Sequence, residues 1–154
     1  MTGNPEVIVA LKNALVAEAH LNIQYRHDWR VVKYMGVKKV ARCLKHKGSD
    51  AHSWMKQVAD RILFLGGDTN YTVGSIVDSS TLASTFQHEL DLELAIVQPY
   101  ERYVQVAMQA LDDTTRNLFE HLLKWHQGHI GWLEQQLRLI SMVGGEAEYI
   151  AEKM

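Results

Sequence analysis

Five side chains able to bind a metal or move a proton stand where apolar packing should be unbroken: Glu18, Tyr25, Glu93, His126 and His129. Each lies on a stripe that recurs in alternating steps of three and four residues, the seam spacing of packed helices. The first stripe runs Ile8, Leu11, Leu15, Glu18, Asn22, Tyr25, Trp29, Val32, and the third runs Ala83, Phe86, Leu90, Glu93, Val97, Tyr100, Val104, Ala107, Leu111. The fourth runs Phe119, Leu122, His126, His129, Leu133. An isolated charge in such a seam costs far more than one side chain's packing returns, so these groups need a partner. Two chemistries supply one. A single divalent ion held by Glu18, Glu93, His126 and His129, with Tyr25 close by, uses the mixed carboxylate and imidazole donors that suit iron, zinc or copper. A metal-free network in which protonated histidine pairs with the two glutamates satisfies the same atoms.

The elements that must position these residues are legible from their ends. Asn4 followed by Pro5 is an N-cap with proline in the first turn, so a helix over 5–35 is expected, ending at Gly36. A second helix over 38–65 carries the stripe Val40, Leu44, Lys47, Ala51, Trp54, Val58, Arg61, Leu65 and stops at Gly66-Gly67. Residues 68–80 read as an extended link, after which Ser79 or Ser80 can cap a third helix over 81–111, kinked at Pro99. Asp112 or Asp113 caps a fourth over 113–143, and Gly144-Gly145 precedes a short tail helix over 146–153. Each long helix, at close to 30 residues, measures about 40 Å. The short links make antiparallel hairpins of helices one and two and of helices three and four, while the middle link reaches roughly 40 Å when extended. It can therefore run the length of the bundle. The expectation is an all-α, ferritin-like four-helix bundle with one long crossover and a short C-terminal fifth helix, within a single domain over 1–154.

Composition limits the function. With 154 residues and 47% apolar content there is material for one core and not for two. A formal charge of −2, with Lys and Arg interleaved among Asp and Glu, predicts no concentrated basic patch and no nucleic-acid partner. Cys43 is the lone cysteine, the N-terminus lacks a basic region followed by an apolar run, and no apolar stretch reaches the roughly 18 residues of a membrane span. A cytoplasmic location with no membrane partner is the expectation.

Four segments carry a family resemblance: Glu18-Ala-His-Leu-Asn-Ile-Gln-Tyr25, Arg61-Ile-Leu-Phe-Leu-Gly-Gly67, Leu90-Asp-Leu-Glu93-Leu and Gly128-His129-Ile-Gly-Trp-Leu-Glu134. Together they resemble bacterioferritin, and the similarity runs from about Val7 to Ile140. The resemblance implies an iron-storage cage of twenty-four subunits, a di-iron ferroxidase centre inside each bundle, and haem b held between paired subunits by one methionine from each.

The chain departs from that pattern where chemistry is concerned. The family's Glu-x-x-His pair on the second helix reads Ala51-His52-Ser53-Trp54 here, so both ligands are replaced, and on the fourth helix the glutamate position is His126 while His129 matches. Glu18, Tyr25 and Glu93 also match, Glu93 with a one-residue shift in the crossover. Two glutamates balance one divalent ion rather than two, so one metal per bundle is expected, with Trp54 filling vacated space. The axial methionine aligns with His52, one residue off the seam on the flank open to a second subunit. His52 is either a haem ligand paired with its symmetry mate or a plain interface histidine. His46 and Asp50, an i,i+4 pair at positions that line the cage interior in the family, either hold incoming iron or form a solvated helix-face pair. Two classes of function follow: an iron-storing subunit of a homo- or hetero-oligomeric cage, served by a ferroxidase-competent bacterioferritin subunit, or a metalloenzyme built on one ion in the bundle.

Overall fold

The structure is a computed structural model that describes residues 3–154. Helix α1 (Pro5–Tyr34) begins where Asn4 accepts hydrogen bonds from the amides of Glu6 and Val7, at 2.8 and 3.3 Å. Those amides have no partner within the helix, which is why an Asn-Pro start works. Helix α2 (Lys38–Phe64) follows a tight turn at Gly36, whose φ of 91° favours glycine. The α1 and α2 backbones approach closely at Gly48, where a Cβ would come within 3.3 Å of the Tyr25 Cβ, and Asn22 donates to the Gly48 carbonyl at 2.9 Å.

Proline does more than kink the third element. Instead of one bent helix the chain forms α3 (Leu82–Val97) and α4 (Tyr100–Gln109), separated at Gln98-Pro99. Proline's missing N–H and its ring's clash with the preceding turn end α3, and the Pro99 carbonyl then accepts from Tyr103 at 3.0 Å to start α4. The N-cap of α3 is Thr81 rather than Ser79 or Ser80, because Thr81 and Ser84 cap each other's backbone reciprocally. Helix α5 (Asp113–Met142) is capped by Asp112, which also receives Arg61 of α2 at 2.8 Å, while Arg61 Nε donates to Thr115 at 3.0 Å. This explains an arginine on a core-facing stripe.

The fold is the expected four-helix bundle, with α1/α2 and α3–α4/α5 as its two closely packed pairs. Leu11, Leu15, Leu44, Val58, Ile62, Phe86, Phe119, Leu122 and Leu133 fill the common core. The short α6 (Glu146–Lys153) closes one end: Tyr149 packs edge-on to Phe86 and donates to Gln136 at 2.6 Å. The crossover is fastened to α1 by Gln24, whose amide donates to the Val77 carbonyl at 2.8 Å and accepts from the Val77 N–H at 2.9 Å. Lys12–Asp68 and His27–Asp78, each 3.0 Å, hold it further along.

Candidate metal centre

The bundle brings Glu18 (α1), Glu93 (α3), His126 and His129 (α5) into one cluster with Tyr25, every one of them at 0% exposure. Two members one helical turn apart on α5 necessarily share a face, and the α1 and α3 seams meet that face at the bundle axis. Their arrangement is mutual ligation. His126 lies between the carboxylates, Nε2 2.7 Å from Glu18 Oε2 and Nδ1 2.7 Å from Glu93 Oε1. Both ring nitrogens donate only in the imidazolium form. Burial alone would lower the His126 pKa, but Glu18 and Glu93 outweigh it and raise it to about 9. Burial likewise works to raise Glu93, yet hydrogen bonds from His126 and His129 hold it down at about 2. His129, packed through Nδ1 against Glu93 Oε2, has its pKa lowered by burial, which Glu93 only partly opposes.

Tyrosines complete the set. Tyr25 donates to Glu93 Oε2 at 2.7 Å and lies 3.0 Å from His129 Nδ1. Tyr100 donates to Glu18 Oε2 at 2.6 Å, reaching it from the first residue of α4, so the Pro99 break delivers this hydroxyl. Burial and the adjoining carboxylates push both phenols well above their ordinary range, which keeps them as donors. Trp125 packs edge-on to His126, with ring centroids 4.7 Å apart, and Trp132 stacks on His129 at 5.6 Å. The seam contained Tyr100, but nothing in its spacing distinguished it from packing residues; Trp125 and Trp132 lie off the seam.

The residues present do not fit a two-metal centre. Ala51 is buried and offers no donor atom, Trp54 packs half-buried against the core, and His126 already spends both nitrogens on the carboxylates. One atom points the other way: Glu18 Oε1 is buried without a hydrogen-bond partner. With His126 protonated, two carboxylates leave one negative charge uncompensated beside that oxygen.

A second acidic pair lies off the seams. Asp28 (α1) and Glu89 (α3) face each other in the interior at 4% and 0% exposure; no other residue reaches Asp28 Oδ2 or either Glu89 oxygen, so the two carboxyls are joined through one shared proton. Burial and then Asp28 push the Glu89 carboxyl well above its usual range, so it is held as the acid. Gln24 donates to Asp28 Oδ1 at 2.9 Å.

The outlying candidates sit on the surface. His46 and Asp50 are both exposed on α2, and Asp50 accepts from the Trp125 indole at 3.3 Å, which ties it to α5. His52 is exposed on the rim of a hollow of about 400 Å³ lined by Asn22, Arg26, Trp29, Arg30, Lys45, Gly48 and Ser49. The expectation of no concentrated basic face fails here. Arg26, Arg30 and Lys33 follow one face of α1 and Lys38, Arg42 and Lys45 one face of α2, all exposed around Trp29. Averaging charge over the whole chain hid what two adjacent helices concentrate.

Residues 8–143 match the ferritin family, described as a ferritin-like domain, which agrees with the bundle and its carboxylate and histidine interior. A bacterioferritin from Streptomyces coelicolor is 31% identical over 152 residues, covering 98% of this chain and 90% of that one. One from Mycolicibacterium paratuberculosis is 29% identical over 147 residues, covering 95% and 92%. The solved structure of Mycobacterium tuberculosis bacterioferritin, BfrA, superposes with a TM-score of 0.96 at 27% identity, covering 100% of this chain and 97% of that one. The chain belongs to the bacterioferritin family.

Proposed function

We propose that this chain is an iron-storing subunit of a bacterioferritin-like cage, cytoplasmic and assembled from up to twenty-four bundles, that has given up paired-iron oxidation and relies on a ferroxidase-competent subunit for it. The observation that carries this reading is His126 spanning Glu18 and Glu93 at 2.7 Å on each side, in place of a carboxylate that would share two metals. Iron is cargo here. Exposed His46 and Asp50 offer it an imidazole and a carboxylate one turn apart on α2. Ferrous iron added to the purified protein under oxygen should show no fast phase saturating at two irons per subunit. Such a phase, followed by stopped-flow absorbance, would overturn the reading.

A second reading rests on Glu18 Oε1, a fully buried carboxylate oxygen with nothing to bond. One divalent ion can displace one proton of the His126 imidazolium and draw Glu18, Glu93, His126 and His129 around itself, its charge balanced by the two glutamates. Binding of zinc or cobalt should then fall at least tenfold in His129→Ala and stay unchanged in His88→Ala, read by titration calorimetry. Equal binding by both variants, or anomalous diffraction with no peak in the bundle, excludes it.

His52, exposed at the rim of the hollow lined by Arg26, Trp29, Arg30 and Lys45, is the residue that would ligate a haem b iron, one imidazole from each of two paired subunits. Purified protein carrying haem should lose its haem absorbance in His52→Ala, and an unchanged spectrum in that variant excludes this ligand.

A further inference from the structure

We propose that residues 74–78 of the crossover form a proton-operated cover over the α1/α3 flank, fastened while Asp28 and Glu89 share one proton and lifted when that proton leaves. The coupling belongs to one bundle and holds whether or not bundles assemble.

The fastening and the acid pair share one side chain. Gln24, fully buried, donates from its Nε2 to Asp28 Oδ1 at 2.9 Å and to the Val77 carbonyl at 2.8 Å, which commits both of its amide hydrogens. Its Oε1 accepts from the Val77 N–H at 2.9 Å. Among the described residues, these bonds to Val77 and the His27–Asp78 contact at 3.0 Å are the only hydrogen bonds that tie residues 74–78 to the helices. His20, Gln24 and Asp28 follow one face of α1 in four-residue steps, and the cover lies along it: a Cβ built on Gly74 would come within 3.5 Å of the His20 ring. No side chain from 74 to 78 belongs to the packed core, so this segment lifts at little cost in apolar contacts.

Removing the shared proton leaves two negative charges with too few donors. Asp28 and Glu89 are 4% and 0% exposed, and a buried carboxylate set against another is costly on both counts. The titratable groups around the pair are Tyr25 and His27 on α1, His88 and Glu93 on α3 and Asp78 on the cover; no α5 side chain is among the charges acting on it. Tyr25 already donates to Glu93, His27 is engaged with Asp78, and His88 Nε2 is buried without a partner, so none of them serves the pair. The donors left are the second amide hydrogen of Gln24, now on the Val77 carbonyl, and water. An ionised pair draws both toward itself, and either movement frees Val77. Burial and Asp28 hold Glu89 as the acid well above the usual carboxylate range, so the fastened state lies on the acid side and the lifted state on the alkaline side.

A nitroxide on Ser75→Cys, in a full-length chain whose exposed Cys43 is replaced by Ser, reads the mobility of the cover by electron paramagnetic resonance. The infrared carbonyl band of a protonated carboxylic acid reads the proton in the same samples. Between about pH 6 and about pH 9, with helical circular dichroism unchanged, the mobile fraction should rise about tenfold as that band disappears, both with one midpoint. Glu89→Gln should lack the band and keep the label immobile throughout. Should Glu89→Gln not fold, Asp28→Asn replaces it and should move the midpoint to lower pH, because Glu89 then faces no anion. His27→Gln should leave the midpoint where it was.

A label whose mobility is constant with pH overturns the coupling, as does a rise that occurs in Glu89→Gln as in the native chain. A mobile fraction that climbs while the acid band persists overturns it too. A rise abolished by His27→Gln places the switch in the His27–Asp78 contact and removes the acid pair from it.

Discussion

His126 shows how one residue can take on part of an ion's role in a buried carboxylate pair. Its imidazolium brings one of the two positive charges that would balance Glu18 and Glu93, with donors fixed at 2.7 Å on either side. Its pKa, raised to about 9, sets the direction of the pH dependence. Stabilisation from His126 is complete below the ordinary imidazole value near 6.5 and is lost as pH rises through about 9. Glu93, held at about 2, contributes stability that is present above the ordinary carboxylate value and lost as pH falls toward about 2. Replacing His126 by Gln leaves the carboxylates buried without a cation and should cost about 3–5 kcal/mol at pH 6. Urea unfolding across pH 5 to 10 checks this: both proteins share the loss that Glu89 causes, and the native protein should weaken further than the variant between about pH 6.5 and 9. A native curve parallel to that of His126→Gln would disconnect the cluster from stability.

At the level of helices, the pairing of α1 with α3 includes an acid that must keep its proton. Glu89 is raised well above its usual range by burial and by Asp28, so the native fold holds a proton that the unfolded chain releases. The resulting stability is full below the ordinary carboxylate value and drains away as pH rises toward the raised one. Glu89→Gln mimics the protonated form and should stabilise the bundle by about 1–3 kcal/mol at pH 8 with little change at pH 4. Equal destabilisation at both values would mean that the carboxyl is ionised in the fold.

The sequence marks α1, α2 and α5 plainly because caps and seams agree there: Asn4-Pro5, Gly66-Gly67 and Asp112 bound stripes of constant spacing. The same spacing carried Glu18, Tyr25, Glu93, His126 and His129 to a shared point. It says nothing of which of them bond to one another, since ion ligands and salt-bridge partners are the same residue types at the same register. Asp28 and Glu89 meet through the rotation of α1 against α3, a tertiary quantity, and neither lies on a counted seam. Pro99 announced a disturbance, but that the restart would aim Tyr100 at Glu18 depends on where α4 lands.

For the molecule as a whole, two helical hairpins are joined by one long strap, and Gln24 is its principal fastening. A single buried amide donates to Val77 and to Asp28 while accepting from the Val77 N–H. Val77 itself is exposed, 44% accessible, so its backbone would ordinarily trade hydrogen with water almost as fast as a free peptide. The hydrogen bond that the Val77 N–H donates to Gln24 Oε1 makes that trade wait for the strap to lift, and the Val77 N–H becomes a clock for the lifting. Hydrogen–deuterium exchange followed by NMR should find Val77 at least tenfold slower than its neighbours Ile76 and Asp78, and Gln24→Ala should bring all three to one rate. If Val77 already exchanges as quickly as its neighbours in the native chain, the strap lifts freely; if it is slow, the strap lifts only when its bond to Gln24 breaks.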